Sequence, residues 1–147
     1  MKSFEFEKFK RIVFFTGAGM SAESGVPTYR GKGGIWNEYK WEDYACQNAF
    51  DINPNRVLDF HELRRIEALK CKPHIGHRLI SKIESLKINT YIITQNIDGM
   101  HQRGGSKNVI ELHGSLWRLR CEKDGLIFED KIKGTFANKT CECGEWL

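Results

Sequence analysis

Residues 11–31, RIVFFTGAGMSAESGVPTYRG, run from an apolar stretch directly into a glycine-rich turn. No other segment restricts the fold as tightly. RIVFFT is β-branched and aromatic and meets glycine at its end, which predicts a buried strand. Gly17, Gly19 and Ala22 then satisfy G-x-G-x-x-G/A, the spacing of a dinucleotide site when it follows a strand. Glycines let backbone N–H groups approach a pyrophosphate, and a helix N-terminus adds partial positive charge. A tight structural turn is the alternative. A hydride-transferring dehydrogenase would continue with a full helix, a second strand and an acidic residue about 20 positions on. Glu38 stands near that distance, but no apolar strand leads to it. Gly25, Pro27, Gly31, Gly33 and Gly34 instead predict a long loop over 25–42.

The rest of the chain frames this turn. Its 147 residues are enough for one domain with a real core. A net charge of +4, spread without a block of like charges, gives no indication of nucleic-acid binding. No run approaches the ~18 apolar residues of a membrane span, and the charged N-terminus does not read as a signal peptide. Five cysteines without an export signal are expected to stay reduced, in the cytoplasm.

Asn53-Pro54 marks a helix start, with Asn as N-cap and Pro at the first helical position. Val57, Phe60, Leu63 and Ile66 follow at helical spacing. Pro73 is expected to open a second helix, with Ile75, Leu79, Ile83 and Leu86 as its apolar stripe. NTYIIT (89–94) predicts a second buried strand and NVIEL (108–112) a third. Strands alternating with helices imply an α/β domain with a mainly parallel sheet. From Leu116 onward short strand-like pieces alternate with charged residues and three cysteines.

Three stretches together carry a family resemblance. GAGMSAESGVPTYRG, TQNIDGMHQRGG (94–105) and ELHGS (111–115) resemble, in order and spacing, the signatures of the sirtuins, NAD-dependent protein-lysine deacylases. The resemblance covers the chain from Phe9 onward. It implies a Rossmann-like, mainly parallel sheet, incomplete here, with a small inserted zinc-ribbon-like module. The expected division is 1–115 for the cofactor domain and 116–147 for the module. Sirtuins continue past this point with further strands that complete the sheet and the cofactor cradle.

By that resemblance the cofactor NAD is a consumed co-substrate. Gly17, Ala18, Gly19, Met20, Ser21 and Ala22 belong to the pyrophosphate turn, and Glu23, Ser24, Gly25 and Val26 continue it. Pro27, Thr28, Tyr29 and Arg30, with Trp36 beyond, face the ribose and nicotinamide. The family more often has Phe at the Tyr29 position, so the added hydroxyl needs a partner. Gln95, Asn96, Ile97 and Asp98 follow a strand end, where amide and carboxylate groups suit a carboxamide; an Asx-rich turn is the alternative. His113 is the implied catalytic base, since an unperturbed imidazole titrates near ~6.5. His74 and His77, three apart in HIGH, suggest a metal but are expected to pack or cap, and His101 to be structural.

The implied substrates are acylated lysines of proteins, with no nucleic-acid or membrane partner. Sirtuins that remove acidic acyl groups carry Tyr-x-x-Arg on the helix after the cofactor loop; here His61-x-x-Arg64 stands there. Arg64 suits a succinyl-type carboxylate, and His61 replaces the tyrosine hydroxyl with a ring nitrogen that can donate and can charge below about pH 6.5. Two solvated residues on an exposed helix face are the alternative. For the zinc module, Cys121, Cys141 and Cys143 supply three thiolates, with Asp124 or water as the fourth ligand of a tetrahedral site; a metal-free module is the alternative. Cys46 and Cys71 read as packing residues. The rival functions are an ADP-ribosyltransferase or NAD glycohydrolase on the same fold, and an inactive NAD-binding module.

Overall fold

The computed structural model describes residues 5, 8–86, 89–130 and 132–147. Three parallel strands, β1 (Arg11–Thr16), β2 (Asn89–Thr94) and β3 (Val109–Glu111), stand side by side in chain order. The register pairs Ile12 with Thr90 and Phe14 with Ile92, and Ile93 with Ile110. The glycine turn leaves the end of β1 and enters a short helix, α1 (Ala18–Ala22). The loop predicted over 25–42 holds only short 3-10 turns at Ile35–Asn37 and Trp41–Asp43. α2 (Gln47–Ile52), α3 (Pro54–Lys70) and α4 (Ile75–Ser85) return the chain to β2. α5 (Met100–Arg103) joins β2 to β3, and β4 (Arg118–Arg120) and β5 (Ile127–Glu129) form an antiparallel hairpin.

α3 begins where expected: the Asn53 side chain accepts from the Arg56 N–H, and Pro54 is the first helical residue. Its buried face is not the one expected. Val57 and Phe60 are buried, but Leu63 and Ile66 are exposed, while Arg64 and Arg65 lie inside with Leu58 and Ala68. α4 starts at Ile75, two residues after Pro73, and His74 is its N-cap. Its apolar stripe also faces outward, with Ile75, Leu79 and Leu86 all exposed. His77 and Ile80 are the buried residues of this helix, which packs on β2 and α5.

The first strand departs from expectation in the same way. RIVFFT alternates between half-buried and exposed positions instead of being buried throughout, with Val13 50% and Phe15 64% accessible. Ile12, Phe14 and Thr16 share the face that carries buried Thr90, Ile92 and Thr94. Val13, Phe15, Tyr91 and Ile110 lie on the opposite face, which no described helix covers. Burial concentrates elsewhere: Ala68, Leu116 and Trp117 pack with Leu69 and Ile97 where α3 meets the chain leaving β2. Gly99, at φ +71°, lets the chain turn there, and a Cβ on it would lie 2.6 Å from the Trp117 indole nitrogen.

Candidate active site

The C-terminal strand ends converge on one opening. Gln95, Asn96 and Ile97 follow β2, His113 follows β3, and Ala18 and Gly19 follow β1. Together with Thr28, Tyr29, Arg30 and Trp36 from the loop they line a cavity of about 890 Å³. This is the ligand edge of a parallel sheet. Gly17 and Gly19 have no heavy atom within 4 Å of where a Cβ would stand, so both turn glycines border open space.

Buried polar bonds hold the turn. The Thr16 hydroxyl donates to Thr94 Oγ1 at 2.9 Å, and the Asn96 N–H donates to the same oxygen at 3.0 Å. Asn96 Nδ2 donates to the Gly17 carbonyl at 3.0 Å and to Ser21 Oγ at 3.1 Å. Asn96 thus secures the turn as well as lining the opening. Asp98 accepts from the Met100 N–H through Oδ1 at 2.9 Å. It also lines a small adjoining void with Ser21, Val26, Pro27, Tyr29 and Arg64.

His113 is exposed at the rim of the large cavity, and its Nδ1 lies 3.2 Å from the Gln95 carbonyl. A carbonyl only accepts, so Nδ1 carries the proton and Nε2 is left as the acceptor. That is the tautomer a general base requires.

A profile of the Sir2 family matches residues 17–147. The chain belongs to the Sir2 family. It is 51% identical over 114 residues to an NAD-dependent protein deacylase of Aquifex aeolicus, covering 78% of this chain and 48% of the relative. It is 44% identical to the mitochondrial NAD-dependent protein deacylase sirtuin-5 of Canis lupus familiaris, covering 85% of this chain and 42% of the relative. Among solved structures, a mutant Sir2 homologue in complex with ADP-ribose superimposes with a TM-score of 0.84 at 37% identity, covering 96% of this chain and 57% of that one. The chain spans about half the length of the curated relatives it matches.

Not every expected site residue of this Sir2 chain meets the cavity. Gly17, Met20, Ala22, Glu23, Ser24 and Gly25 line neither void, because α1 turns Ser21 inward and lays Met20 toward α4. His61 and Arg64 share a helix but not a compartment. His61 lines the large cavity; Arg64 lines the small one, its guanidinium 5.6 Å from the Tyr29 ring centroid and its Nε without a partner. The Tyr29 hydroxyl is held protonated by burial, an effect the Arg64 charge partly offsets. His61 Nδ1 donates to the Val57 carbonyl at 2.8 Å. Burial lowers the His61 pKa, against that hydrogen bond, with the charges of Arg64 and Arg65 adding to the fall. His61 therefore stays neutral to a lower pH than a free imidazole.

In the module, one donor atom each from Cys121, Asp124, Cys141 and Cys143 lie within 4.8 Å of one another. Cys121 and Cys143 sulfurs are 3.5 Å apart. Four ligands in a tetrahedron with Zn–S near 2.3 Å put sulfurs about 3.8 Å apart, so this donor set fits zinc. Cys46 and Cys71 lie outside the cluster, at the ends of α2 and α3, and each thiol donates to a backbone carbonyl four residues earlier.

The largest omission from the sequence is Arg65. Its fully buried guanidinium donates to the Leu116 carbonyl at 2.6 Å, to Asp130 at 2.6 Å and to the Thr135 carbonyl at 3.3 Å, and lies 3.9 Å from the Phe136 ring centroid. Glu62 accepts from the Phe136 N–H, and Asp59 pairs with Lys139. Residues 59, 62 and 65 thus bind the module along one side of α3, at helical spacing. Arg103 was equally invisible: it donates to the Ala68 and Cys71 carbonyls at the end of α3.

Proposed function

We propose that this chain carries the catalytic half of an NAD-dependent protein-lysine deacylase, which transfers an acyl group from lysine to ADP-ribose and releases nicotinamide. The observation that carries the proposal is His113, with Nδ1–H engaged by the Gln95 carbonyl and Nε2 free at the rim of the cavity. NAD supplies the electrophilic ribose carbon and the nicotinamide leaving group. Gly17, Ala18 and Gly19 offer space and backbone N–H groups to its phosphates. Asn96 and Asp98 offer amide and carboxylate groups to the carboxamide. With NAD bound, His113 Nε2 would accept a proton from a ribose hydroxyl and so make that oxygen a nucleophile toward the acyl group. The deacylase activity of the relatives and the ADP-ribose complex of the Sir2 homologue support this chemistry.

Cys121, Cys141 and Cys143, with Asp124, would hold a structural zinc that keeps the module folded. Three thiols that must stay reduced to ligate it suit a reducing compartment, the cytoplasm. No helix among the described residues is long and apolar enough to cross a membrane.

Arg64 is the proposed reader of an acyl chain ending in carboxylate, supported by its partnerless Nε and its place beside Tyr29. The test measures nicotinamide release with and without acetyl- and succinyl-lysine peptides, using the chain extended to the length of its relatives. Release that requires an acyl-lysine supports the deacylase; equal release without peptide would make it an NAD glycohydrolase. Arg64→Met is expected to cost succinyl substrates about 10-fold or more in kcat/KM and acetyl substrates little, the scale of one charged hydrogen bond. Equal losses would leave Arg64 a packing residue.

A further inference from the structure

The catalytic reading leaves the HIGH segment and His101 without a role, yet the structure joins them. His74, His77 and His101 form a row, with ring centroids 4.3 Å apart at the first step and 4.9 Å at the second. The two ends of the row reach the two sides of the glycine turn. At one end the Gly76 N–H donates to His74 Nδ1 at 2.8 Å. The ring proton is therefore on Nε2, which donates to the Met20 carbonyl in α1 at 2.6 Å. At the other end the Thr16 hydrogen is given to Thr94, so Thr16 Oγ1 accepts from His101 Nε2 at 2.9 Å. Thr16 leads into the turn and Met20 leads out of it.

Imidazole is an unusual helix cap. Asn, Asp, Ser and Thr accept the first free N–H groups with a short side chain. A neutral imidazole does this at one edge and donates from the opposite edge, so one rigid ring can bridge two elements. The sequence makes room for it. A Cβ on Gly76 would lie 2.5 Å from His74 Cε1 and 3.2 Å from the Met20 methyl, so any larger residue there displaces the ring. His77, fully buried with both ring nitrogens unpartnered, fills the middle of the row by contact alone.

We propose that His74 is a positioning residue for the phosphate-binding turn, fixing α1 against the first turn of α4 through the Met20 carbonyl while His101 fixes Thr16 at the entrance. The functional part of this rests on the nucleotide reading of the turn given above; the mechanical part does not. Only the neutral ring serves. A second proton on Nδ1 would face the Gly76 N–H at the positive end of a helix.

The test compares His74→Asn and His74→Ala in the whole chain by amide hydrogen exchange. Asparagine keeps an acceptor for the Gly76 N–H but is too short to bridge to Met20. In His74→Asn the amides of Ser24 and Gly25, which close the turn after α1, are expected to exchange about five- to tenfold faster, the effect of one net hydrogen bond. Gly76 and Arg78 are expected to stay within twofold. His74→Ala is expected to loosen both sets. Equal loosening of both sets in both variants, or an unchanged turn in His74→Asn, would overturn the proposal. So would a long-range nitrogen-15 spectrum showing His74 as the Nδ1–H tautomer. ADP-ribose binding is measured in parallel. Weaker binding by His74→Asn, with kinetics and exchange moving together, supports the functional part. Absence of binding by wild type with the exchange pattern intact counts against the nucleotide reading and leaves the bridge standing.

Discussion

Arg65 and Asp130 form an ion pair of 2.6 Å with side-chain exposures of 0% and 4%, joining the middle of α3 to the strand hairpin of the cysteine module. Two charges taken that far from water depend on each other and on the Leu116 and Thr135 carbonyls to which the arginine also donates, while Arg65 Nη2 has no hydrogen-bond partner among the described residues. Removing Asp130 leaves the arginine's charge buried without its carboxylate. Asp130→Ala is expected to lower unfolding free energy by about 3–5 kcal/mol, read from urea denaturation. Arg65→Met removes the guanidinium at similar volume and takes its hydrogen bond from Asp130. The double variant should be more stable than either single one, and strict additivity would show that the pair is not coupled.

His113→Ala is expected to lower acyl-lysine-dependent turnover at least about 10²-fold in the extended protein, with the melting temperature unchanged because the ring is exposed. Wild-type turnover by the variant would remove His113 from the reaction. His113→Gln, which keeps a donor toward Gln95 but no basic nitrogen, should be as inactive as alanine.

Metal analysis should find about one zinc per chain, and a chelator should lower the melting temperature. Cobalt substitution gives a sharper readout, since three thiolates and a carboxylate in a tetrahedron produce intense visible absorption. Asp124→Ala should weaken the site without abolishing it, whereas Cys121→Ser, at the one fully buried thiol of the four ligands, should abolish it. Full metal loss in Asp124→Ala with retention in Cys121→Ser would contradict the assignment.

His77 should set an acid limit on stability. Burial is the main cause that lowers its pKa, to about 4. The unfolded chain takes up a proton near pH 6.5 while the folded one resists until about 4. The stabilising difference is therefore complete above 6.5 and declines as pH falls from 6.5 to 4, by at most about 3 kcal/mol. Below 4 this group contributes no further slope. His77→Leu should flatten the denaturation midpoint across that window, and an undiminished slope in the variant would place the titration elsewhere.

What could be read from the sequence was local. The strand-and-turn of residues 11–22 and the Asn53-Pro54 helix start are encoded within a few neighbours, and the structure has both elements there, although one face of the strand is exposed. The three thiols and Asp124 were named through the family resemblance, whereas their convergence depends on how the hairpin folds. Hydrophobic periodicity found α4 but assigned its buried side to Ile75, Leu79 and Leu86. A period reports which side is apolar, not which side has something packed on it. Arg65 left no mark in the sequence because its partners, Leu116, Asp130 and Thr135, lie far along the chain, and the burial of Arg64 beside Tyr29 depends on how the loop returns to α3. His74 showed as half of a possible metal pair, since nothing local reveals that its far edge meets the Met20 carbonyl.

The bare face of the sheet governs how this chain behaves on the bench. Val13, Phe15, Tyr91 and Ile110 sit side by side on adjoining strands, with Leu112 just beyond, and all are at least 39% accessible. Such a surface wets poorly, and a strip of that kind collects whatever is amphiphilic. Environment-sensitive dyes should light up on the native chain before any denaturant is added. Scattering should rise with concentration, and sub-micellar nonionic detergent should suppress it. Ligand titrations therefore belong at low micromolar protein, where self-adsorption does not compete with the cavity on the other side of the strands' ends.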